Sequence, residues 1–232
     1  MIQILSFGGG VNSSAIIALA KMGKLEMPDH IVFSDPGAEY PETYTYIEYL
    51  QQQHGIPITI LKKPYKGIDI VAYCREKQFI PSRFHRWCTD RFKIQPIRRF
   101  AKALGEDYQM ILGIDAGEQH RAKKFKQHAY PLIDLDISRS QCKEILKKTG
   151  FGVPRKSGCF ICPYQRKRDF INLRKEHPNL WDIAVELEKD AYTRKGFTYK
   201  GMPIEEYVAD LYLQEELPFG IQLDKKCACY FD

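Results

Sequence analysis

Ser6-Phe-Gly-Gly-Gly-Val-Asn-Ser-Ser14 follows the apolar run Ile2-Gln-Ile-Leu5 and precedes the apolar-periodic segment 15–20. The order is strand, tight loop, helix. Glycines let the backbone come close to a ligand, and a helix N-terminus brings unpaired N–H groups and positive potential to the same small volume. That combination favours a phosphate. Ser13 and Ser14 are placed either to cap the helix or to bond a phosphate oxygen. The loop lacks the lysine that ends a P-loop, and its glycines miss the GxGxxG spacing, so neither common nucleotide fingerprint applies. An ordinary glycine-rich turn before a capped helix shares this composition. The length of the stretch and its place at a strand-to-helix junction favour the phosphate loop.

Outward from the loop, strand and helix alternate. His30-Ile-Val-Phe-Ser34, Ile58-Thr-Ile-Leu61 and Tyr108-Gln-Met-Ile-Leu-Gly113 read as further strands. Helical patterns lie between them at 41–53, 68–77 and 93–104. Such alternation predicts an α/β fold, a doubly wound parallel sheet with helices on both faces. Ligands then bind at the carboxyl ends of the strands. The glycine loop, Asp35 and the segment from Gly113 to Glu118 all fall there, in separate loops. After Tyr130-Pro-Leu-Ile133 the pattern turns helical. Ser138 is set to cap a helix running to Lys148, and further helices read at 167–176, 180–192 and 204–216. The expected division is a nucleotide-binding domain, 1–133, and a helical, cysteine-bearing appendage, 134–232.

The chain has 232 residues, enough for a full core and a small extra lobe. With 44% hydrophobic and 28% charged residues it is globular rather than disordered. No apolar run approaches the roughly 18 residues needed to span a bilayer. The start carries no basic segment followed by a signal-type apolar core, so a cytoplasmic protein with no membrane partner is expected. Seven cysteines in that setting point to metal or redox chemistry before disulfides. A net charge of +6 suits a polyanionic ligand and is modest for a dedicated nucleic-acid binder.

The glycine loop resembles the PP-loop, SGGxDS, of the ATP-pyrophosphatase and phosphoadenylylsulfate (PAPS) reductase superfamily. Gly8 stands for its first Ser and Asn12 for its Asp. Bacterial and phage PAPS-reductase-like proteins carry a similar SFGGGVxS stretch. The resemblance implies an adenine nucleotide alpha-hydrolase-like fold, with the nucleotide held by Ser6, Gly8, Gly9, Gly10, Asn12, Ser13 and Ser14. Asn12 keeps the hydrogen-bonding shape of Asp but not its charge. Phe33-Ser-Asp-Pro-Gly-Ala-Glu-Tyr-Pro-Glu-Thr43 resembles a second signature, FxDTGxExPET. That implies Asp35 and Glu39 near the nucleotide and its magnesium, and Glu42 less so, since an acid in a helix's first turn also suits the dipole. Leu112-Gly-Ile-Asp-Ala-Gly-Glu-Gln-His-Arg121 is similar to LGIxxxExxR. Gly113 would admit the nucleotide there, with Glu118 and Arg121 facing it. An arginine fork suits phosphate or sulfate. Lys123, Lys124 and Lys126 read as a solvated run.

Cys159 and Cys162 form a CxxC framed by Gly158 and Pro163, and Cys88 lies far upstream in His85-Arg-Trp-Cys-Thr-Asp-Arg-Phe-Lys-Ile-Gln-Pro-Ile97. The residues alone allow zinc, iron–sulfur or dithiol chemistry. The Cys88 segment resembles the cluster-binding segment of APS-type sulfonucleotide reductases, a Cys-Cys pair followed by basic residues and Pro-Leu. Trp87 occupies the first Cys position here. The implied ligands are Cys88, Cys159 and Cys162, with a fourth from the tail, Cys229 or Cys227, or from Cys142. A [4Fe–4S] cluster is expected, with zinc as the alternative. Cys74 and Cys142 are most simply buried thiols. Arg83, Arg86, Arg91 and Lys93 suit an anionic substrate or a negatively charged cluster.

The resemblance implies an ATP-pyrophosphatase-type enzyme, with Asn12 and Asp35 at the reacting phosphates. It would adenylate an acceptor, a nucleobase or nucleic acid, for thiolation by a sulfur donor. The alternative is a PAPS or APS reductase in which Cys227 or Cys229 attacks the sulfonyl sulfur and thioredoxin resolves the product. A third reading is a non-catalytic nucleotide- and metal-binding subunit of a nucleic-acid complex.

Overall fold

The structure, a computed structural model, describes residues 1–84, 86–123 and 125–209. In chain order it contains β1 (Ile2–Phe7), α1 (Val11–Lys21), β2 (His30–Asp35), α2 (Pro41–His54), β3 (Ile58–Lys62) and α3 (Ile70–Lys77). Then come α4 (Trp87–Thr89), a π-turn (Asp90–Ile94), α5 (Gln95–Ala103), β4 (Tyr108–Leu112) and a 3₁₀ turn (Ala116–Arg121). The rest is β5 (His128–Ala129), α6 (Pro131–Asp134), α7 (Arg139–Lys148), α8 (Lys167–Glu176) and α9 (Pro178–Lys195). Residues 204–209 are also helical.

The five strands form one parallel sheet in the order β3-β2-β1-β4-β5. Alternate residues of each strand face opposite sides. Leu5, Ile31, Phe33 and Ile111 join a core with Ile16 and Leu19 of α1, Ile47 and Leu50 of α2, and Cys142 and Leu146 of α7. Ile4, Val32 and Met110 point the other way, onto Ile97 and Ala101 of α5. A sheet covered on both faces needs strands apolar on both sides, which explains the near-continuous hydrophobic runs in β1 and β2. The expected doubly wound α/β fold is therefore the observed one.

Two compact units make up the chain. One comprises Met1–Tyr73 and Trp87–Cys159; the other comprises Cys74–Arg86 and the described residues from Phe160 onward. This differs from a cut after Ile133. The reason is α7, whose Cys142 and Leu146 are buried in the sheet's own core. Ser138 starts α7 with a reciprocal cap: its Oγ accepts the Gln141 N–H, and Gln141 Oε1 accepts the Ser138 N–H at 2.8 Å. The second unit is helical. Phe170, Leu173, Trp181, Leu187 and Ala191 of α8 and α9 are buried with Tyr199 and Ile204. Glu188, buried on α9, accepts the backbone N–H groups of Tyr199 at 2.8 Å and Ile204 at 2.7 Å. Burial raises its pKa, while those two donors lower it. Cys227, Cys229, His85 and Lys124 lie outside the described residues.

Candidate functional site

β1 is the middle strand, and its neighbours β2 and β4 are reached by connections leaving in opposite directions. The crevice at its carboxyl end is where such folds hold ligands. Gly8-Gly9-Gly10 turns the chain there from β1 into α1. Gly9 has φ +65, and a Cβ on it would come 2.7 Å from Thr43 Cγ2, so only glycine fits. A Cβ on Gly10 would meet Ser157 Oγ at 2.7 Å, while one on Gly8 would meet nothing within 4 Å. Gly8 is thus the open position of the loop. Gly113 closes the other wall: a Cβ there would lie 2.9 Å from the Ser13 nitrogen.

No side chain caps α1. Ser13 Oγ lies 3.4 Å from the Gly8 N–H and donates to the Gly10 carbonyl at 3.3 Å. Ser14 is fully buried; its Oγ donates to the Gly10 carbonyl at 2.8 Å and also bonds Tyr46. Its hydroxyl is therefore committed to the interior, and burial holds the Tyr46 hydroxyl's pKa up at about 12. Ser6 is half-buried on β1.

Asn12 bridges two loops. Its Nδ2 donates to the Gly113 carbonyl at 3.2 Å and to Asp115 Oδ2 at 2.8 Å, and its Oδ1 accepts Arg139 Nη1 at 3.1 Å. Asp115 is buried and also accepts the Gly117 N–H at 3.0 Å. Sequence reading singled out neither Asp115 nor Arg139. Asp115 had a faint local signal as an N-cap, whereas Arg139 had none.

Asp35 ends β2. Its Oδ1 accepts the Gly37 N–H at 2.8 Å and the Tyr44 hydroxyl at 2.7 Å. Burial, and next the Asp35 hydrogen bond, push the Tyr44 pKa upward. Glu39 is more deeply placed, its side chain 1% exposed. Its Oε1 accepts Lys93 Nζ at 2.6 Å and lies 3.6 Å from Cys159 Sγ, while Oε2 is buried with no hydrogen-bond partner among the described residues. Residues 39 and 159 also form a backbone bridge, and the Tyr40 N–H donates to the Gly158 carbonyl at 3.3 Å. Magnesium keeps several waters and favours carboxylates. The half-buried Asp35 fits that demand better than Glu39, whose charge Lys93 already balances.

Glu118 and Arg121 sit on the 3₁₀ turn and pair with each other at 2.6 Å, half in solvent. The cysteines separate by environment. Cys88 on α4 and Cys159 are partly exposed in the sheet unit, Cys162 is partly exposed in the helical unit, and Cys74 and Cys142 are buried. Burial raises the Cys142 pKa to about 11, which leaves that side chain a neutral core thiol. Partly exposed thiols suit metal ligation, and two sulfurs of the expected set belong to the sheet unit. Several basic residues close to Cys88 in sequence are engaged within their own units. Arg91 donates to the Tyr73 hydroxyl at 2.5 Å and lies over the rings of Tyr65, Tyr73 and Trp87. Arg83 bonds the Pro163 carbonyl at 3.2 Å, and Arg86 lies over the Tyr164 ring. Among the described residues no helix is long and apolar enough to cross a membrane.

The chain is similar to several known proteins. Two uncharacterized proteins of Methanocaldococcus jannaschii are 26% and 22% identical, over 86% and 85% of this chain. The matches cover 45% and 52% of their lengths, so the chain spans about half of these relatives. An uncharacterized nin region protein of Escherichia phage lambda is 23% identical over 93% of this chain and 87% of its own. A crystal structure of PAPS reductase from Candida auris, a phosphate complex, superposes with a TM-score of 0.45 at 17% identity, covering 66% of this chain and 73% of that one. The family model of the phosphoadenosine phosphosulfate reductase domain matches residues 2–130, from the first residue of β1 through β5. Spanning more than half of the chain and including the glycine loop, Asp35 and Asp115, that match shows that the chain belongs to the phosphoadenosine phosphosulfate reductase domain family.

Proposed function

We propose that this chain is a nucleotide-dependent enzyme of sulfur chemistry, holding an adenine nucleotide at Gly8–Ser13 and acting beside it with cysteine thiolates. The position of Cys159 carries the reading. Ser157 lies against Gly10 and Cys159 Sγ lies 3.6 Å from Glu39, so a thiol stands at the ligand end of the sheet, next to the glycine loop.

The finer reading is an ATP pyrophosphatase that prepares an acceptor for thiolation. An acceptor oxygen, on a nucleobase or related group, attacks the α-phosphorus of ATP, and the bond to the β-phosphate oxygen breaks. The loop N–H groups stabilise the leaving pyrophosphate, and Asp35 is the carboxylate that would hold magnesium beside it. A sulfur donor then attacks the activated carbon, and AMP leaves with the oxygen. Cys88, Cys159, Cys162 and Cys229 are the thiolates that would hold a [4Fe–4S] cluster, or zinc in its place. An iron–sulfur group supplies a means of keeping sulfide near the nucleotide.

Family membership supports a second reading, reduction of PAPS or APS. The Cys227 or Cys229 thiolate attacks the sulfonyl sulfur, and the bond from sulfur to the nucleotide phosphate oxygen breaks. Adenosine bisphosphate or AMP leaves. A thioredoxin dithiol then attacks the cysteine sulfur, releases sulfite and becomes a disulfide.

An anaerobic thermal-shift comparison of ATP with magnesium, APS and PAPS separates the two. A ligand at a hundred times its dissociation constant stabilises by about 2.7 kcal/mol. Stabilisation by ATP alone is expected for adenylation. Preference for APS or PAPS overturns it in favour of reduction, and replacing Cys227 and Cys229 by Ser should then abolish turnover while nucleotide affinity persists.

A further inference from the structure

Arg139 opens α7, and the sequence separates it from Asn12 by 127 positions, yet its guanidinium donates to the Asn12 amide oxygen at 3.1 Å. On the other side of the same amide, Nδ2 donates to Asp115 at 2.8 Å. A carboxylate only accepts and a guanidinium only donates, so the amide's orientation is fixed by its two neighbours. A neutral group thus holds an anion on one side and a cation on the other, in the first turn of α1. Asp115 is 3% exposed, and both of its oxygens are taken, by Asn12 and by the Gly117 N–H. Arg139 is exposed, and among the described residues Asn12 is its hydrogen-bond partner. The rest of its fork remains for an oxyanion at the edge of the glycine loop.

We infer that Arg139 binds a phosphate of the nucleotide held at Gly8–Ser13, with Asn12 and Asp115 as its positioning residues. The guanidinium, rather than a magnesium ion attached to residue 12, then balances the phosphate charge at that point. This rests on the reading of the glycine loop as a nucleotide site. Residue 12 does not fit magnesium: its oxygen is neutral and already accepts from Arg139. A carboxylate in its place would stand about one hydrogen bond from the Asp115 carboxylate, and two like charges so close need a proton or a cation between them. Arg139 also lies beyond the residues matched by the family model. It sits on α7, the second helix after β5, outside that match.

Isothermal titration of the full chain with ATP, PAPS and adenosine, each with magnesium and with EDTA, tests the inference. Arg139→Ala is expected to weaken at least one phosphate-bearing nucleotide about 10- to 100-fold and leave adenosine unchanged. Arg139→Lys should recover part of the loss. Asn12→Asp should raise the ratio of dissociation constants without and with magnesium about tenfold over wild type. Equal weakening of adenosine and nucleotide in Arg139→Ala, or wild-type affinity in that variant, overturns the role of Arg139. An unchanged magnesium ratio in Asn12→Asp overturns the charge-balance argument. If wild type binds none of the nucleotides, the glycine-loop reading itself falls, and this inference with it.

Discussion

Glu39 and Lys93 pair at 2.6 Å beyond β2, and Glu118 and Arg121 pair at 2.6 Å beyond β4. The distances are the same, but the surroundings are not. The Glu39 side chain is 1% exposed, whereas Glu118 and Arg121 are 40% and 50% exposed. A charge sunk in protein depends on its partner because water cannot replace it. A charge at the surface loses little when its partner goes. Contact distance therefore says almost nothing about what a pair contributes, and solvent access says most of it. Both acids belong to motifs that read as nucleotide-facing. One is built into the floor of the site beside Cys159, and the other closes on its own arginine at the rim.

The largest effect should come from Lys93→Ala, which leaves the Glu39 carboxylate buried without its cation. A loss of about 2–3 kcal/mol is expected in urea denaturation, below the full cost of breaking a buried pair because the lysine is 39% exposed. Adding Glu39→Gln should restore part of it; a loss below about 0.5 kcal/mol would put both pairs in one class. Next comes the backbone of the two loops. Gly37 has φ +74, and a Cβ there would lie 2.5 Å from Asp69 Cβ, so Gly37→Ala should cost about 1–3 kcal/mol. Gly117→Ala, whose Cβ would meet Asp115 Oδ1 at 3.2 Å, should cost less; thermal melts of the two variants that coincide would break the contrast. The smallest change belongs to Arg121→Ala, within about 0.5 kcal/mol of wild type. A larger stability loss there would show that the 3₁₀ turn is held from beneath rather than resting on the surface.

The sheet was legible because each of its four longer strands carries a mostly apolar run bounded by turn residues, and α7 because Ser138 and Gln141 form a recognisable start signal. β5 was not, since His128–Ala129 is too short to show any period. The glycine loop could be found by composition, but the fate of its hydroxyls could not. Ser13 and Ser14 look alike in sequence, and the rotation of α1 turns Ser14 wholly into the core. Asp115 and Arg139 meet Asn12 across 103 and 127 positions. Local patterns carry no trace of such a meeting, because it arises only when β1 and β4 lie side by side and α7 folds back over α1.

The π-turn at Asp90–Ile94 governs more than its own length. Its end is marked by the Gln95 N–H, which bonds the Asp90 carbonyl five residues back, and the Phe92 carbonyl takes the Ser34 hydroxyl at 2.7 Å from β2. A turn of that kind contains one residue more than an α-helical turn. It acts as a phase shifter: Arg91 swings toward the rings of Tyr65 and Trp87, Lys93 toward Glu39, and Ile97 and Ala101 still come round onto the sheet. Deleting a single residue there would rotate everything downstream as a screw is rotated. The aromatic box, the buried ion pair and the α5 face of the core would lose alignment together.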